Sequence, residues 1–137
     1  MSILMNPYLG FSGEARDALA FYAGIFGGEP TMMTFAQGGM PHKPGQEDLI
    51  MHGQLDTPDG MTLMVSDGSR TPGQSQDGYS ISLSGDDDAK LSGFWEGLSA
   101  GGEVMQPLVP APWGDKFGML RDRFGTNWMV NIAGQMQ

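Results

Sequence analysis

The feature that most constrains this chain is an internal repeat. Phe21-Tyr22-Ala23-Gly24-Ile25-Phe26-Gly27-Gly28-Glu29 returns as Phe94-Trp95-Glu96-Gly97-Leu98-Ser99-Ala100-Gly101-Gly102-Glu103, with one residue inserted. Each copy is an aromatic pair, a glycine two residues later, an aliphatic residue, then Gly-Gly-Glu. A second echo follows in the same order. Asp59-Gly60-Met61-Thr62-Leu63-Met64-Val65-Ser66 parallels Phe124-Gly125-Thr126-Asn127-Trp128-Met129-Val130-Asn131. The offsets are roughly 65 to 74 residues. Two echoes in one order point to a duplicated module of secondary structure.

The local pattern says what the module contains. Ala15, Ala18, Leu19, Tyr22, Ile25 and Phe26 recur at helical spacing, predicting a helix over about 14–26. Ser12 is its expected N-cap, and Gly27 or Gly28 its stop. Leu91, Phe94, Trp95 and Leu98 repeat the pattern in the second half, closed by Gly101 and Gly102. Asp86, Asp87 and Asp88 sit at the start of that helix, where carboxylates favour the positive end of its dipole. Strands are expected at 4–11, 31–36, 48–56 and 61–66, then at 79–84, 103–109, 117–122 and 126–132. Alternation is plain in Tyr79-Ser80-Ile81-Ser82-Leu83-Ser84. Each half therefore reads as β-α-β-β-β. We expect one domain of two modules, about 1–67 and 78–137, joined by a polar linker at about 68–77. A Gly/Pro loop from Gln37 to Glu47 is either a rim of a cleft or a long hairpin connection.

Composition excludes several functions. A chain of 137 residues can bury a core without covalent staples. It has no cysteine, so neither disulfides nor thiolate metal sites are open to it, which fits a reducing cytosol. The N-terminus lacks a basic, then apolar, leader, and no run reaches the ~20 apolar residues of a membrane span. A cytoplasmic protein with no membrane partner is expected. The formal net charge is −9, and only seven Lys and Arg are scattered through the chain. No basic stripe for nucleic acid is visible.

At this point the residues resemble a known family. Asn6-Pro7-Tyr8-Leu9-Gly10-Phe11, Ala18-Leu19-Ala20-Phe21-Tyr22 and Phe26-Gly27-Gly28 are similar to the PhnB-like branch of the vicinal oxygen chelate superfamily (glyoxalase, bleomycin resistance protein and dioxygenase). So are Met51-His52, Leu63-Met64-Val65-Ser66-Asp67, Trp113-Gly114-Asp115-Lys116-Phe117-Gly118-Met119 and the run Asp122 to Asn131. The resemblance implies an α+β fold of paired β-α-β-β-β modules, whose mixed sheets curl into a cup around a ligand. It also implies a homodimer. Members are often labelled 3-demethylubiquinone-9 3-methyltransferase-like. That activity ranks last here, because no glycine-rich strand-to-helix turn with an acidic ribose partner is present.

Metal-dependent members place His, Gln or Glu on four strands facing into the cup. The resemblance carries those positions to Asn6, Met64, Ser80 and Met129. Such a set suits a divalent ion poorly, so no metal cofactor is expected at the family position. His52 is the remaining candidate for chemistry. Strand alternation groups Ile50, His52 and Gln54 on one face and Leu49, Met51, Gly53 and Leu55 on the other. The second face is the more apolar, so it should pack on the helix and turn His52 into the cup. There the imidazole is either a general base or ligand donor, or a structural histidine. His42, in the Gly/Pro loop, should be exposed. Asn6, Tyr8, Gln54, Met64, Ser80, Ser82, Trp113, Lys116 and Met129 are the candidate ligand contacts. Trp113 would cap a ligand or anchor its loop. Lys116 would meet an anion or stay at the surface. Asp67 and Asp122 read as turn residues, and Trp128 as core. Twelve methionines, Met5, Met51, Met64, Met119 and Met129 among those in strands, suggest a greasy, tolerant cup or ordinary core filling. Two functions compete: a metal-free binding protein for a small, partly apolar molecule, and a lyase, isomerase or dioxygenase-type enzyme using His52.

Overall fold

The computed structural model describes residues 5–39, 44–67 and 79–134. His42 and the linker at 68–77 lie outside them. The chain divides into two compact units, Met1–Gln74 and Ser75–Gln137. The first contains β1 (Tyr8–Gly10), α1 (Ala15–Phe26), β2 (Pro30–Thr34), a short α2 (Phe35–Gly38), β3 (Ile50–Asp56) and β4 (Thr62–Ser66). The second contains β5 (Ile81–Gly85), α3 (Asp88–Ser99), β6 (Glu103–Pro110), β7 (Lys116–Arg121) and β8 (Asn127–Ile132). Strand orders are β1-β4-β3-β2 and β5-β8-β7-β6. In each sheet the first pair is parallel and the others antiparallel. The duplication read from two short echoes is thus a duplication of topology. No helix among the described residues is long and apolar enough to cross a membrane.

The repeat persists down to single bonds. Thr57 N–H donates to the Met61 carbonyl, Gly60 N–H to the Thr57 carbonyl, and Met61 N–H to Thr57 Oγ1. Asp122, Gly125 and Thr126 make the same three bonds in the second unit, with the Asp122 carboxylate replacing the threonine hydroxyl. Gly60 and Gly125 sit at φ 84° and 88°, a region where side chains are strained, so the turn demands glycine in both copies. The helices approach their sheets over a second matched pair. A Cβ on Gly53 would stand 3.0 Å from Leu19 of α1, and one on Gly118 2.7 Å from the Trp95 ring of α3.

Those contacts fix the faces. Leu9, Leu55, Leu63 and Val65 are buried with Ala15, Ala18, Leu19, Tyr22 and Phe26 of α1. Leu83, Leu120, Trp128 and Val130 are buried with Leu91 and Leu98 of α3. Burying each large apolar side chain contributes about 1.5–3 kcal/mol. The residues between them point to the opposite, open face of each sheet.

Four local expectations need correction. Ser12 does not cap α1. The N-cap is Glu14, whose side chain accepts from Ser12 N–H rather than from the helix, and the cap comes from Asp67 Oδ1, which accepts from Gly13 and Ala15 N–H at 2.8 and 2.9 Å. The strand expected over 31–36 stops at Thr34. Thr34 and Gln37 form a capping box that starts α2, a signature readable as Thr-x-x-Gln. Ile50 does not share a face with His52. The β2–β3 register shifts between Met33 and Thr34, so one extra β3 residue is accommodated there and Ile50 turns into the core, 1% exposed. Met5 stands before β1, 98% exposed, rather than in the strand.

Candidate functional site

On the open face of the first unit, Tyr8 and Met64 are partners in the parallel β1–β4 register, and Met64 pairs with Gln54 on β3. His52 lies two residues before Gln54 on the same face. The Tyr8 hydroxyl stands 3.1 Å from His52 Nδ1, and the two rings meet edge to face with centroids 5.6 Å apart. With its proton on Nε2, the imidazole accepts from the tyrosine, which leaves Nε2–H pointing elsewhere. Tyr8 is half exposed and His52 partly so. Gln54 Nε2 donates to both oxygens of Asp56, at 3.2 and 3.1 Å. Asn6 precedes β1 and is partly exposed.

On the open face of the second unit, Ser82 pairs with Met129 and Met129 with Met119. Ser80 precedes β5 and walls a cavity of about 190 Å³ together with Met105, Met119, Arg121 and Asn127. Trp113 is 61% exposed, with its ring edge to face against Phe117 at 5.7 Å. Lys116 belongs to the other face. It pairs with Asp88 of α3 at 2.7 Å. The bonds from Lys116 and from Ser92 hold the Asp88 carboxyl below its ordinary range. Asp115 is lowered as well, by bonds from the Asn131 amide and Gly134 N–H. Lys116 is therefore the candidate contact that does not reach the open face. Asp87 caps α3 by accepting from Lys90 N–H, as the aspartate run suggested.

Sequence reasoning passed over Arg121 and Asn127. The signal was available in strand alternation, which puts both on the face of Met119 and Met129. Their bond to each other and their place on a cavity wall follow only from the β7–β8 pairing.

The description Glyoxalase/Bleomycin resistance protein/Dioxygenase superfamily matches residues 5–130 as a family model. The chain belongs to this superfamily. Protein PA1353 of Pseudomonas aeruginosa, a crystal structure, is 38% identical with a TM-score of 0.83, covering 98% of this chain and 100% of its own. Protein YjdN of Escherichia coli strain K12 is 25% identical over 142 residues, covering 96% of both chains. A Bacillus cereus structure described as a putative 3-demethylubiquinone-9 3-methyltransferase, PhnB protein, shares the fold at 22% identity and a TM-score of 0.76, covering 96% of this chain and all of its own.

Superfamily membership raises the question of a metal, and the register sharpens where to look. The parallel pairs set Tyr8, rather than Asn6, beside Met64, and Ser82, rather than Ser80, beside Met129. A phenol, a hydroxyl and two thioethers do not fit a hard or borderline divalent ion, which favours carboxylate and imidazole. Among the described residues no three of His, Cys, Asp and Glu gather into a metal-binding group.

Proposed function

We propose that the chain binds a small, partly apolar molecule on the open faces of its sheets, with no metal at the superfamily's position. The pairing of Tyr8 with Met64 and of Ser82 with Met129 carries this reading. Methionine is flexible and polarizable, so it fits apolar ligands of varied shape. Tyr8, His52 and Gln54 supply polar groups beside it. Protein purified without chelator should carry well under one equivalent of Zn, Ni, Fe or Mn by elemental analysis. Stoichiometric metal that is lost in His52→Ala would overturn the reading.

One observation favours a second reading, an enzyme of the lyase, isomerase or dioxygenase type. Tyr8 orients the His52 ring through Nδ1, as a partner orients a general base. Turnover that His52→Ala abolishes would place this reading first. A methyltransferase activity has only the name of one relative behind it.

A homodimer belongs to the same proposal, by analogy with the superfamily. Sedimentation at micromolar concentration should give twice the 14.7 kDa chain mass. A monomer there would count against it.

A further inference from the structure

Two polar side chains on the open face of the first unit have their orientations fixed by neighbours. Gln54 stands between His52 and Asp56 on one face of β3. Its amide meets both Asp56 oxygens, at 3.2 and 3.1 Å, and Asp56 is itself held by the Thr62 hydroxyl at 2.8 Å. A carboxylate only accepts, so the amide nitrogen must be the atom that faces it. The amide oxygen, Oε1, is thereby turned away from Asp56, toward the His52 end of the strand. His52 is fixed from β1, by the Tyr8 hydroxyl 3.1 Å from Nδ1. An imidazole nitrogen is far more basic than a phenol oxygen, so Tyr8 donates and the proton of the neutral ring sits on Nε2.

The repeat shows that the fold requires neither group. Gln54 pairs with Met64 as Met119 pairs with Met129. The second unit therefore has Met119 where the first has Gln54 and, two residues earlier, Phe117 where the first has His52. Among the described residues, neither the His52 nor the Gln54 side chain has a further hydrogen-bond partner. One donor, His52 Nε2–H, and one acceptor, Gln54 Oε1, thus stand two residues apart, about 6.6 Å along the strand. Thioethers flank both. Met64 lies beside Gln54 on β4, and Met33 lies beside His52 on β2, 44% exposed. A ligand that satisfies the pair carries a carbonyl oxygen and an N–H side by side. A carboxylate has no hydrogen for Oε1 and is repelled by Asp56.

We infer that His52 and Gln54 form a subsite for an uncharged cis amide, of the lactam or cyclic imide class, whose apolar body lies against Met33 and Met64. This rests on the small-molecule reading above and names its ligand class. His52 Nε2–H donates to the ligand carbonyl, and Gln54 Oε1 accepts from the ligand N–H. Tyr8 and Asp56 are positioning residues: the first sets the imidazole tautomer and the second sets which end of the Gln54 amide is presented. The thioethers adapt to the ring.

The test is titration, followed by NMR shifts, with isoindolinone, N-methylisoindolinone and phthalide. The three share a shape and a carbonyl, and only the first has the N–H. Isoindolinone should bind about 3- to 10-fold more tightly than the other two, the range of one net hydrogen bond. Gln54→Met should erase that preference. His52→Phe should weaken all three by a similar factor. Both variants install the residue that the second unit carries at the matched position, so the fold should hold. Asp56→Asn, whose amide can face either end of Gln54, should reduce the preference without touching the ligand. Nitrogen-15 spectra of the imidazole should show the proton on Nε2, and a mixture of tautomers in Tyr8→Phe. Equal binding of the three probes, or a preference that survives in Gln54→Met, overturns the subsite while leaving small-molecule binding in place. A proton on Nδ1 in the wild type overturns it too, and favours the general-base reading. Binding of none of the three overturns both the subsite and the small-molecule reading.

Discussion

Replacing Asp67 with alanine should destabilise the protein by about 3–5 kcal/mol and lower its thermal midpoint by roughly 10–20 °C. The carboxylate is 6% exposed and sits just past β4. Its Oδ1 accepts from Gly13 and Ala15 N–H, and its Oδ2 accepts from Ile50 N–H at 2.8 Å. One side chain thus caps α1, engages its positive end and pins the start of β3. Alanine leaves three backbone donors without this partner, those of Ala15 and Ile50 buried, and each buried donor so left costs about 1–3 kcal/mol. Native stability is usually only about 5–15 kcal/mol, so the loss would be a large fraction of the whole. Asparagine is the sharper test. It matches the shape but presents an NH₂ to one set of donors, and should cost nearly as much. A midpoint within about 2 °C of wild type for Asp67→Asn would show that charge and acceptor count are not what the site uses. Because Ile50 starts the strand that carries His52 and Gln54, ligand binding should weaken with stability.

Asp67 also shows where sequence reading stopped. Its position after β4 suggested a turn residue, and its partners 52 and 54 residues away left no local trace. Local chemistry was legible. The apolar spacing of Leu91, Phe94, Trp95 and Leu98 placed α3, and Phe124-Gly125 placed the last turn. Asp122 was read correctly as turn chemistry and Trp128 as core, because both follow from neighbours in the chain. Ile50 was not legible. Simple alternation put it beside His52, but the β2–β3 irregularity depends on pairing with a strand some 16 residues earlier. At the site, alternation alone grouped His52 with Gln54, but the β5–β8 register was needed to set Ser82, rather than Ser80, beside Met129. Which residue lies beside Met64 needed the β1–β4 register, and a slip of two residues separates Asn6 from Tyr8. Arg121 was overlooked for a different reason. Its role comes from a bond to Asn127 and a cavity wall, both of which exist only once β7 and β8 pair.

Asp122→Ala should cost about 3 kcal/mol, and less when Trp128 has already been replaced by phenylalanine. Asp122 is 3% exposed and Trp128 1%. Asp122 Oδ1 accepts from Phe124 and Thr126 N–H at 2.8 and 3.1 Å, and Oδ2 accepts from the Trp128 indole N–H at 2.8 Å. Alanine therefore opens the β7–β8 turn and strands a buried indole donor. Phenylalanine at 128 has no such donor to strand. A double-mutant cycle by denaturant unfolding should show about 1 kcal/mol of coupling, with Trp128→Phe alone costing about 2 kcal/mol for lost volume and bond. Additivity within about 0.3 kcal/mol would mean that the indole bond contributes nothing beyond packing. The cycle reaches the open face of the sheet as well. Arg121 and Asn127 flank the segment that Asp122 holds, and their mutual bond depends on the two strands meeting in this register. Asp122→Ala should accordingly weaken that bond along with stability, although Asp122 itself stands on the buried side of the turn.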